Sequence, residues 1–183
     1  MSRVVRAIFL FLLAAPCCAF AQDGARVEVF GGYQYFHANS GFDVPGIDSF
    51  SMNGWNAAVS GFLNKHLGAT ADFAGVYGTP SVSGIGVDTK LYTFLFGPVV
   101  RVPNSTRITP FAHALFGGGH ASASVMGFGG SETDFTWAAG GGLDFGLSHR
   151  FAIRPVQADF LQTRVGGQSQ NNFRYSAGVV LKF

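Results

Sequence analysis

The sequence predicts an all-β fold in which eight antiparallel strands close into a barrel. Apolar and polar residues alternate with a period of two along eight separate segments, which is the pattern of strands with two different faces. The composition agrees, with 26 Gly and 20 Phe among 183 residues and only 12% charged residues. The connectors between the segments are alternately short and long, as expected when consecutive strands run in opposite directions between two rims.

The first 21 residues are predicted to be a cleaved signal peptide, and residues 22–183 a single barrel domain. Two arginines precede the short apolar stretch AIFLFLLAA, and AFA at 19–21 forms a small-residue cleavage site. Acylation of Cys17 or Cys18, as in a lipoprotein, is the alternative interpretation. Both cysteines lie in this segment, so no disulfide is expected in the mature chain.

The charge of the mature chain is balanced. Removing Arg3 and Arg6 from the 12 basic residues leaves ten, which equals the number of acidic residues. A basic excess of the kind that attracts nucleic acid is therefore absent from the mature sequence, and we expect no nucleic-acid partner.

The eight segments are found by following the alternation along the chain. They lie at 26–37, 52–63, 67–78, 89–101, 107–121, 134–146, 150–163 and 172–183. The second, fourth and sixth connectors are tight, at 64–66, 103–107 and 147–150. The other four are longer and rich in Gly, Ser and Asn, so we expect them to be loops at the opposite rim.

The apolar face of the segments is large and aromatic, and it can be hidden in two ways. A soluble barrel would turn it inward, and a membrane barrel would turn it outward. The other face carries Gly, Ser, Thr, Asn and isolated charges, which suit a packed lumen. We therefore predict a transmembrane barrel whose first and last strands pair, because hydrocarbon does not tolerate an open sheet edge.

Charges on the inward face must be paired, because eight strands enclose a lumen only wide enough for side chains. The turn at 147–150 brings Asp144 near Arg154, and barrel closure brings Glu28 near Lys182. Asp159 has the wrong parity relative to Arg154, so the strand either contains a bulge or places Asp159 at a rim. We predict a polar network rather than a water channel, with these candidate members: Glu28, Asp72, Arg101, Asp144, Arg154, Arg174 and Lys182.

Two GGG runs, at 117–119 and 140–142, invite two interpretations. Pairing of the fifth and sixth segments is expected to bring the runs together and make room for bulky interior side chains. A nucleotide-binding loop is the competing interpretation, but no helix pattern or Lys-Ser/Thr follows either run.

Three segments of the chain resemble a known family. VEVFGGYQYF at 27–36, TPFAHALFGGG at 109–119 and FRYSAGVVLKF at 173–183 resemble the small outer-membrane barrels of the OmpA-like/OmpX-like superfamily and the outer membrane protein β-barrel domain. The resemblance implies a monomer in contact with outer-membrane lipids. Unlike OmpA, which continues into a periplasmic peptidoglycan-binding domain, this chain stops at Phe183, so a cell-wall anchoring role is not expected.

The resemblance also implies an assembly signal in the last strand. In such barrels, apolar residues at alternate positions before a terminal Phe are read by the barrel assembly machinery. The matching residues here are Phe173, Tyr175, Val179, Leu181 and Phe183. Aromatic residues on the same outer face are candidates for interfacial girdles, with ordinary strand packing as the alternative: Tyr33, Tyr35, Trp55, Tyr92 and Trp137.

Catalysis and metal binding find little support in the sequence. His113 and His120 lie seven positions apart on one strand and so face opposite sides, and no histidine pair has ligand spacing. Ser60, Ser122, Ser124 and Ser176 are available, but none has a histidine two or three residues away with a fitting partner, so no enzyme, cofactor or metal is expected. The expected role is structural or adhesin-like, with a small-solute channel as the main alternative and a lipid-modifying enzyme as the lesser one.

The longer connectors are acidic. This observation leaves two interpretations open, contact with a cation or a partner, and simple solvation of the rim. The charged residues concerned are Asp43, Asp48, Asp88, Glu132 and Asp134, with Arg164 as the main basic residue.

Overall fold

The chain forms a closed antiparallel barrel of eight long strands, as predicted. The computed structural model describes residues 27–39, 49–79, 81–82, 85–86, 88–125, 128–165 and 168–183. The predicted signal peptide, together with Asp43 and Asp48, lies outside these residues. The strands are β1 (Val27–Asn39), β2 (Ser49–Phe62), β3 (Leu67–Gly78), β4 (Ser81–Val82), β5 (Ile85–Gly86), β6 (Asp88–Arg101), β7 (Ile108–Val125), β8 (Phe128–Gly146), β9 (Phe151–Val165) and β10 (Gln168–Lys182).

The barrel order is β1-β10-β9-β8-β7-β6-β3-β2, and the short strands β4 and β5 pair with each other outside the barrel. Glu28 lies opposite Lys182, and the Phe183 amide donates to the Val27 carbonyl at 2.9 Å, which completes the closure. The three tight turns lie at the same rim as Val27 and Phe183. In outer-membrane barrels this rim is periplasmic, so the opposite rim is the extracellular mouth. In the part of the chain that the structure describes, no helix has the length and apolarity to cross a membrane.

In two predicted loops, the residues that the structure describes lie in strands instead. The stretches around residues 122–133 and 165–172 were expected to be loops because Gly, Ser and Asn interrupt their hydrophobic alternation. The structure pairs Ser122 with Ser131, and Gln168 with Val165, so β7–β8 and β9–β10 continue as hairpins. Strands β7 and β8 have 18 and 19 residues, whereas a membrane crossing needs about 9–11 residues, so this hairpin projects beyond the bilayer.

A bulge in β9 determines which of its side chains face the lumen. Ser176 pairs with Gln157 while Gly178 pairs with Arg154, so β9 contains one extra residue, and the pairing with β8 shifts at the same place. Pro155 lies in this interval, and proline is tolerated in a sheet without edges only at such irregularities because it cannot donate to the ladder. The bulge turns both Arg154 and Asp159 inward, which resolves the parity question in favour of a bulge.

The two glycine runs do not pair with each other, contrary to the prediction. Gly117–Gly119 lie opposite Thr136–Asp134, and Gly140–Gly142 lie opposite His113–Phe111. The register is set by the strand ends rather than by matching glycines. Each run still makes room locally, since a Cβ at Gly140 would overlap the Asp159 carboxylate and one at Gly142 would crowd the Phe111 ring.

The lumen is more apolar than its predicted polar face suggested. A buried cluster occupies its extracellular half, and the cluster consists of Phe36, Ala38, Met52, Val76, Leu95, Leu115, Ala138 and Leu161. A smaller cluster of Phe30, Ala58, Ala152 and Val180 lies nearer the periplasmic rim. These apolar side chains fill the narrow lumen, and without them the atoms lining the resulting voids would lose van der Waals contacts.

Candidate functional site

An ionic layer crosses the middle of the lumen. The fully buried Arg174 donates from Nε to Asp159 Oδ2 at 2.7 Å and from Nη1 to Asp72 Oδ1 at 2.6 Å. The two acids come from β9 and β3, on different sides of the barrel, so Arg174 on β10 bridges the lumen. A buried charge of this kind is tolerable only when its partners are also present and well oriented.

Three further side chains complete this layer. His113 Nε2 lies 2.7 Å from Asp159 Oδ1, and Gln157 Nε2 donates to Asp159 Oδ2 at 2.8 Å. Asn56 Nδ2 donates to Asp72 Oδ2 at 2.9 Å. The network predicted from the sequence did not include Asp159, His113, Gln157 or Asn56. Pro155 was the available signal, because a proline inside a closed barrel marks a bulge and a change of parity.

A second ion pair lies below the first. Arg154 binds the Asp144 carboxylate with two bonds, from Nε at 2.7 Å and from Nη2 at 3.0 Å. Its Nη1 donates to Gln157 Oε1 at 2.8 Å, and its guanidinium lies over the Phe111 ring at 4.0 Å from the centroid. Bidentate geometry and stacking together fix this arginine in one orientation.

The remaining charged candidates meet at the periplasmic rim. Glu28 accepts a hydrogen bond from Arg101 and lies 3.8 Å from Lys182 Nζ. Arg101 also lies over the Phe62 ring, 3.7 Å from its centroid. The structure thus places all seven predicted network residues on the lumen side, in three groups at successive depths.

Between these groups the lumen retains only a small void. A cavity of about 20 Å³ is lined by Asp72, Asp144, Arg154 and Gln157 among others. That volume holds about one water molecule. Among the described residues, the ionic layer and the apolar cluster above it fill successive levels of the lumen with buried side chains.

A larger pocket opens at the extracellular mouth, and we call it the mouth pocket. Its volume is about 80 Å³. One wall, from β1, β2 and β6, includes Phe36, Ala38, Phe50, Met52 and Leu91; the other, from β8, β9 and β10, includes Glu132, Asp134, Thr136, Thr163, Gln170 and Asn172. Glu132 and Asp134 were expected in a connector, and the extended β8 instead places them in a strand, on the lumen side.

The predicted girdle residues all lie on the outer face. Tyr33, Tyr35, Trp55 and Tyr92 are exposed, and Trp137 is half-buried against Phe160 at 5.6 Å between ring centroids. Neither Trp lies at a strand start, because β2 and β8 begin earlier than predicted. Gly75 makes room for one of them, since a Cβ there would lie 2.8 Å from Trp55 Nε1.

The predicted assembly residues alternate along the lipid face of β10. Phe173, Tyr175, Val179 and Leu181 are 37–48% exposed, and Phe183 is 72% exposed at the periplasmic rim. Arg174 and Lys182, between them in sequence, face the lumen. The outer face of this strand is therefore continuous and apolar up to its last residue.

The described histidines do not form a shared site. His113 faces the lumen and His120 faces outward, where its Nδ1 lies 2.7 Å from Thr133 Oγ1. Among the residues that the structure describes, no group of three His, Cys, Asp or Glu side chains could hold a metal ion.

Comparisons with known proteins agree on the architecture. The barrel is similar to Ail, the attachment invasion locus protein of Yersinia pestis, with 21% identity, a TM-score of 0.62 and coverage of 88% of this chain and 100% of that chain. Neisserial surface protein A is 16% identical with a TM-score of 0.72 and the same coverage. The N-terminal β-barrel domain of Pseudomonas aeruginosa OprF is 11% identical with a TM-score of 0.57.

These identities are low, so the solved structures establish a shared fold and nothing finer. No curated protein matches the chain significantly. The family comparison is decisive, because residues 7–183 match the model of the outer membrane protein β-barrel domain. The chain is therefore a member of the outer membrane protein β-barrel domain family.

Proposed function

We propose that this protein is a non-conducting outer-membrane barrel with a structural and surface-interaction role carried by its extracellular hairpins. The observation that carries the proposal is the ionic layer, in which Arg174 bridges Asp72 and Asp159 across the lumen. Because paired charges and the apolar cluster fill the lumen, transport through it would require several buried ion pairs to break at once. The hairpins are then the parts available to act on other molecules.

Charge complementarity suggests the kind of partner. Ail has been solved in complex with the heparin analogue sucrose octasulfate, a polyanion. Here the described strand ends at this rim carry three acidic residues (Asp88, Glu132 and Asp134) and two basic ones (Lys90 and Arg164), so the acidic residues exceed the basic ones by one. Like charges at an interface reject a partner, so we propose a cationic surface or polymer as the partner rather than a sulfated polysaccharide.

The two parts of the proposal can be tested separately. In planar bilayers the purified barrel should give no stepwise conductance; discrete current steps would support the small-solute channel instead. Proteoliposomes carrying the barrel should be retained on immobilised poly-lysine and not on immobilised heparin. Glu132→Gln removes an acidic residue from the β7–β8 hairpin, where Glu132 lies opposite Ala121, and should reduce retention on poly-lysine. Unchanged retention would contradict the role of this hairpin.

The membrane contacts form part of the same proposal. The exposed tyrosines and Trp55 and Trp137 form a belt in the extracellular half of the outer face, where amphipathic rings suit the lipid interface. Fluorescence of these two tryptophans should be quenched strongly by lipid quenchers at interface depth and weakly by midplane quenchers. The reverse order would contradict the girdle assignment.

A further inference from the structure

The mouth pocket contains hydrogen-bond acceptors that have no partner. Asp134 Oδ2, Thr136 Oγ1 and Asn172 Oδ1 are all shielded from solvent, and none has a hydrogen bond. Thr136 and Asn172 are 0% and 2% exposed. Leaving a buried polar atom unpaired is unfavourable, so three such atoms on the wall of one small pocket point to a donor that binds there.

Neighbouring contacts keep these acceptors available. Asn172 Nδ2 donates to Thr163 Oγ1 at 3.1 Å, which uses its amide nitrogen and leaves its carbonyl oxygen free. Thr163 lies directly opposite Thr136 on the adjacent strand, and Asp134 follows two positions toward the mouth on the same face as Thr136. The three acceptors therefore belong to one continuous patch of wall.

The opposite wall offers only apolar contact. Phe36, Phe50, Met52 and Leu91 face the acceptor patch across the pocket, and the apolar cluster below closes its floor. Among the described residues that line the pocket, none is Lys, Arg or His. The pocket thus combines negative charge, unfilled acceptors and an apolar surface, with no cation of its own.

From this arrangement we infer that the mouth pocket binds a small organic ammonium compound, with the ammonium group on Asp134, Thr136 and Asn172 and an alkyl chain against the apolar wall. A primary ammonium has three N–H donors and no acceptor, which matches three acceptors. A hydrated metal ion would fit poorly, because half of the wall cannot replace its water ligands. The pocket shares Glu132 and Asp134 with the acidic mouth proposed above, so the inference rests in part on that proposal, but Thr136, Asn172 and the apolar wall belong to the pocket alone.

The test uses the folded full-length barrel in lipid nanodiscs and n-hexylammonium chloride as the probe. Met52 lines the pocket, so the ¹³C signal of its methyl group should shift in a saturable manner on titration. 1-Hexanol, which keeps the chain without the charge, should bind at least tenfold more weakly, and hexanoate should give no saturable shift. Equal binding of hexanol and hexylammonium would show that the pocket is only a non-specific apolar cavity and would overturn the inference. The absence of a saturable shift with hexylammonium would also overturn it.

Variants separate the acceptors from general electrostatics. Asp134→Asn should weaken hexylammonium binding about tenfold or more, since hydrogen bonds to charged groups are worth about 1.5–3 kcal/mol. Asp88→Asn removes the same charge from an exposed position outside the pocket and should change binding less than twofold. Thr136→Val removes one acceptor at nearly constant shape and should weaken binding about threefold or more, which keeps the inference testable if Asp134→Asn does not fold. Equal effects of the two aspartate variants would overturn it.

Discussion

The two halves of the lumen solve the same packing problem with different chemistry. In the middle and toward the periplasm, Arg174 and Arg154 are held by carboxylates at 2.6–3.0 Å. Toward the extracellular mouth, Leu115 and Leu161 and their neighbours pack without polar contacts, and the acceptors above them stay unpaired. Unpaired polar atoms occur in both halves, since Arg174 Nη2 and Asn56 Oδ1 in the ionic layer also have no partner; the upper half differs in that its three unpaired acceptors line a pocket of about 80 Å³.

The largest effect on stability is expected from replacing Arg174 in the ionic half. Arg174→Leu leaves Asp72 and Asp159 buried without their cation, so we expect a loss of about 3–5 kcal/mol in the free energy of unfolding. Urea unfolding, followed by the gel mobility shift between folded and heated protein, measures it. Arg107→Leu, at an exposed turn, should change stability by about 0.5 kcal/mol or less. Similar losses of unfolding free energy in both variants would contradict the proposal that the ionic layer contributes more to stability than a surface arginine.

Substitutions in the apolar half of the lumen should reduce the free energy of unfolding somewhat less. Leu161 is completely buried in the upper cluster, and Leu161→Ala should cost about 2–4 kcal/mol by leaving a cavity. Leu161→Met conserves volume and should cost less than about 1.5 kcal/mol. The same unfolding assay applies. If Leu161→Ala proved harmless, the upper half would be loosely packed, and its contrast with the ionic half would need another basis.

A glycine pair sharpens the contrast between lumen and lipid face. Gly140→Ala pushes a methyl group into the Asp159 carboxylate and the Ala158 carbonyl, and should cost about 1–3 kcal/mol. Gly31→Ala points into open space on the outer face, with nothing within 4 Å, and should be neutral or slightly stabilising. The midpoints of thermal unfolding, measured by gel shift, compare the two variants. Equal midpoints would show that the lumen side accommodates the added methyl group without loss of stability.

The smallest effect on stability is expected at the end of the chain. Deleting Phe183 removes its two backbone hydrogen bonds with Val27, at 2.9 and 3.4 Å, and one exposed ring, so the assembled barrel should lose little stability. Insertion by the assembly machinery should slow markedly, which a time course of folded protein in membranes containing that machinery records. Phe151→Ala removes another exposed Phe from the same rim and serves as the control. Equal losses in insertion and stability would count against an assembly role.

How far the sequence could predict this structure is clearest from particular residues. Period-two alternation predicted all eight barrel strands, because lipid and lumen impose opposite chemistry on successive side chains. It could not reveal that Asp159 faces inward, since one extra residue near Pro155 reverses the parity without altering composition. The hairpin extensions were missed because Ser122 and Ser131 pair through backbone groups, which leave no hydrophobic signature. The alternation also could not predict the mouth pocket, since the pocket joins residues from seven strands whose relative stagger the alternation does not specify.

Barrel closure also has a kinetic consequence. Glu28 pairs with Lys182, so the contact that seals the sheet joins the two ends of the described chain. Contacts between residues so distant in sequence form late, because the chain must lose the conformational entropy of a long loop before the pairing stabilises the closed sheet. Until β10 arrives, β1 presents an unpaired edge and an apolar face, and such intermediates are prone to aggregate. Productive folding therefore depends on keeping the nascent sheet apart from other chains until its last strand is in place.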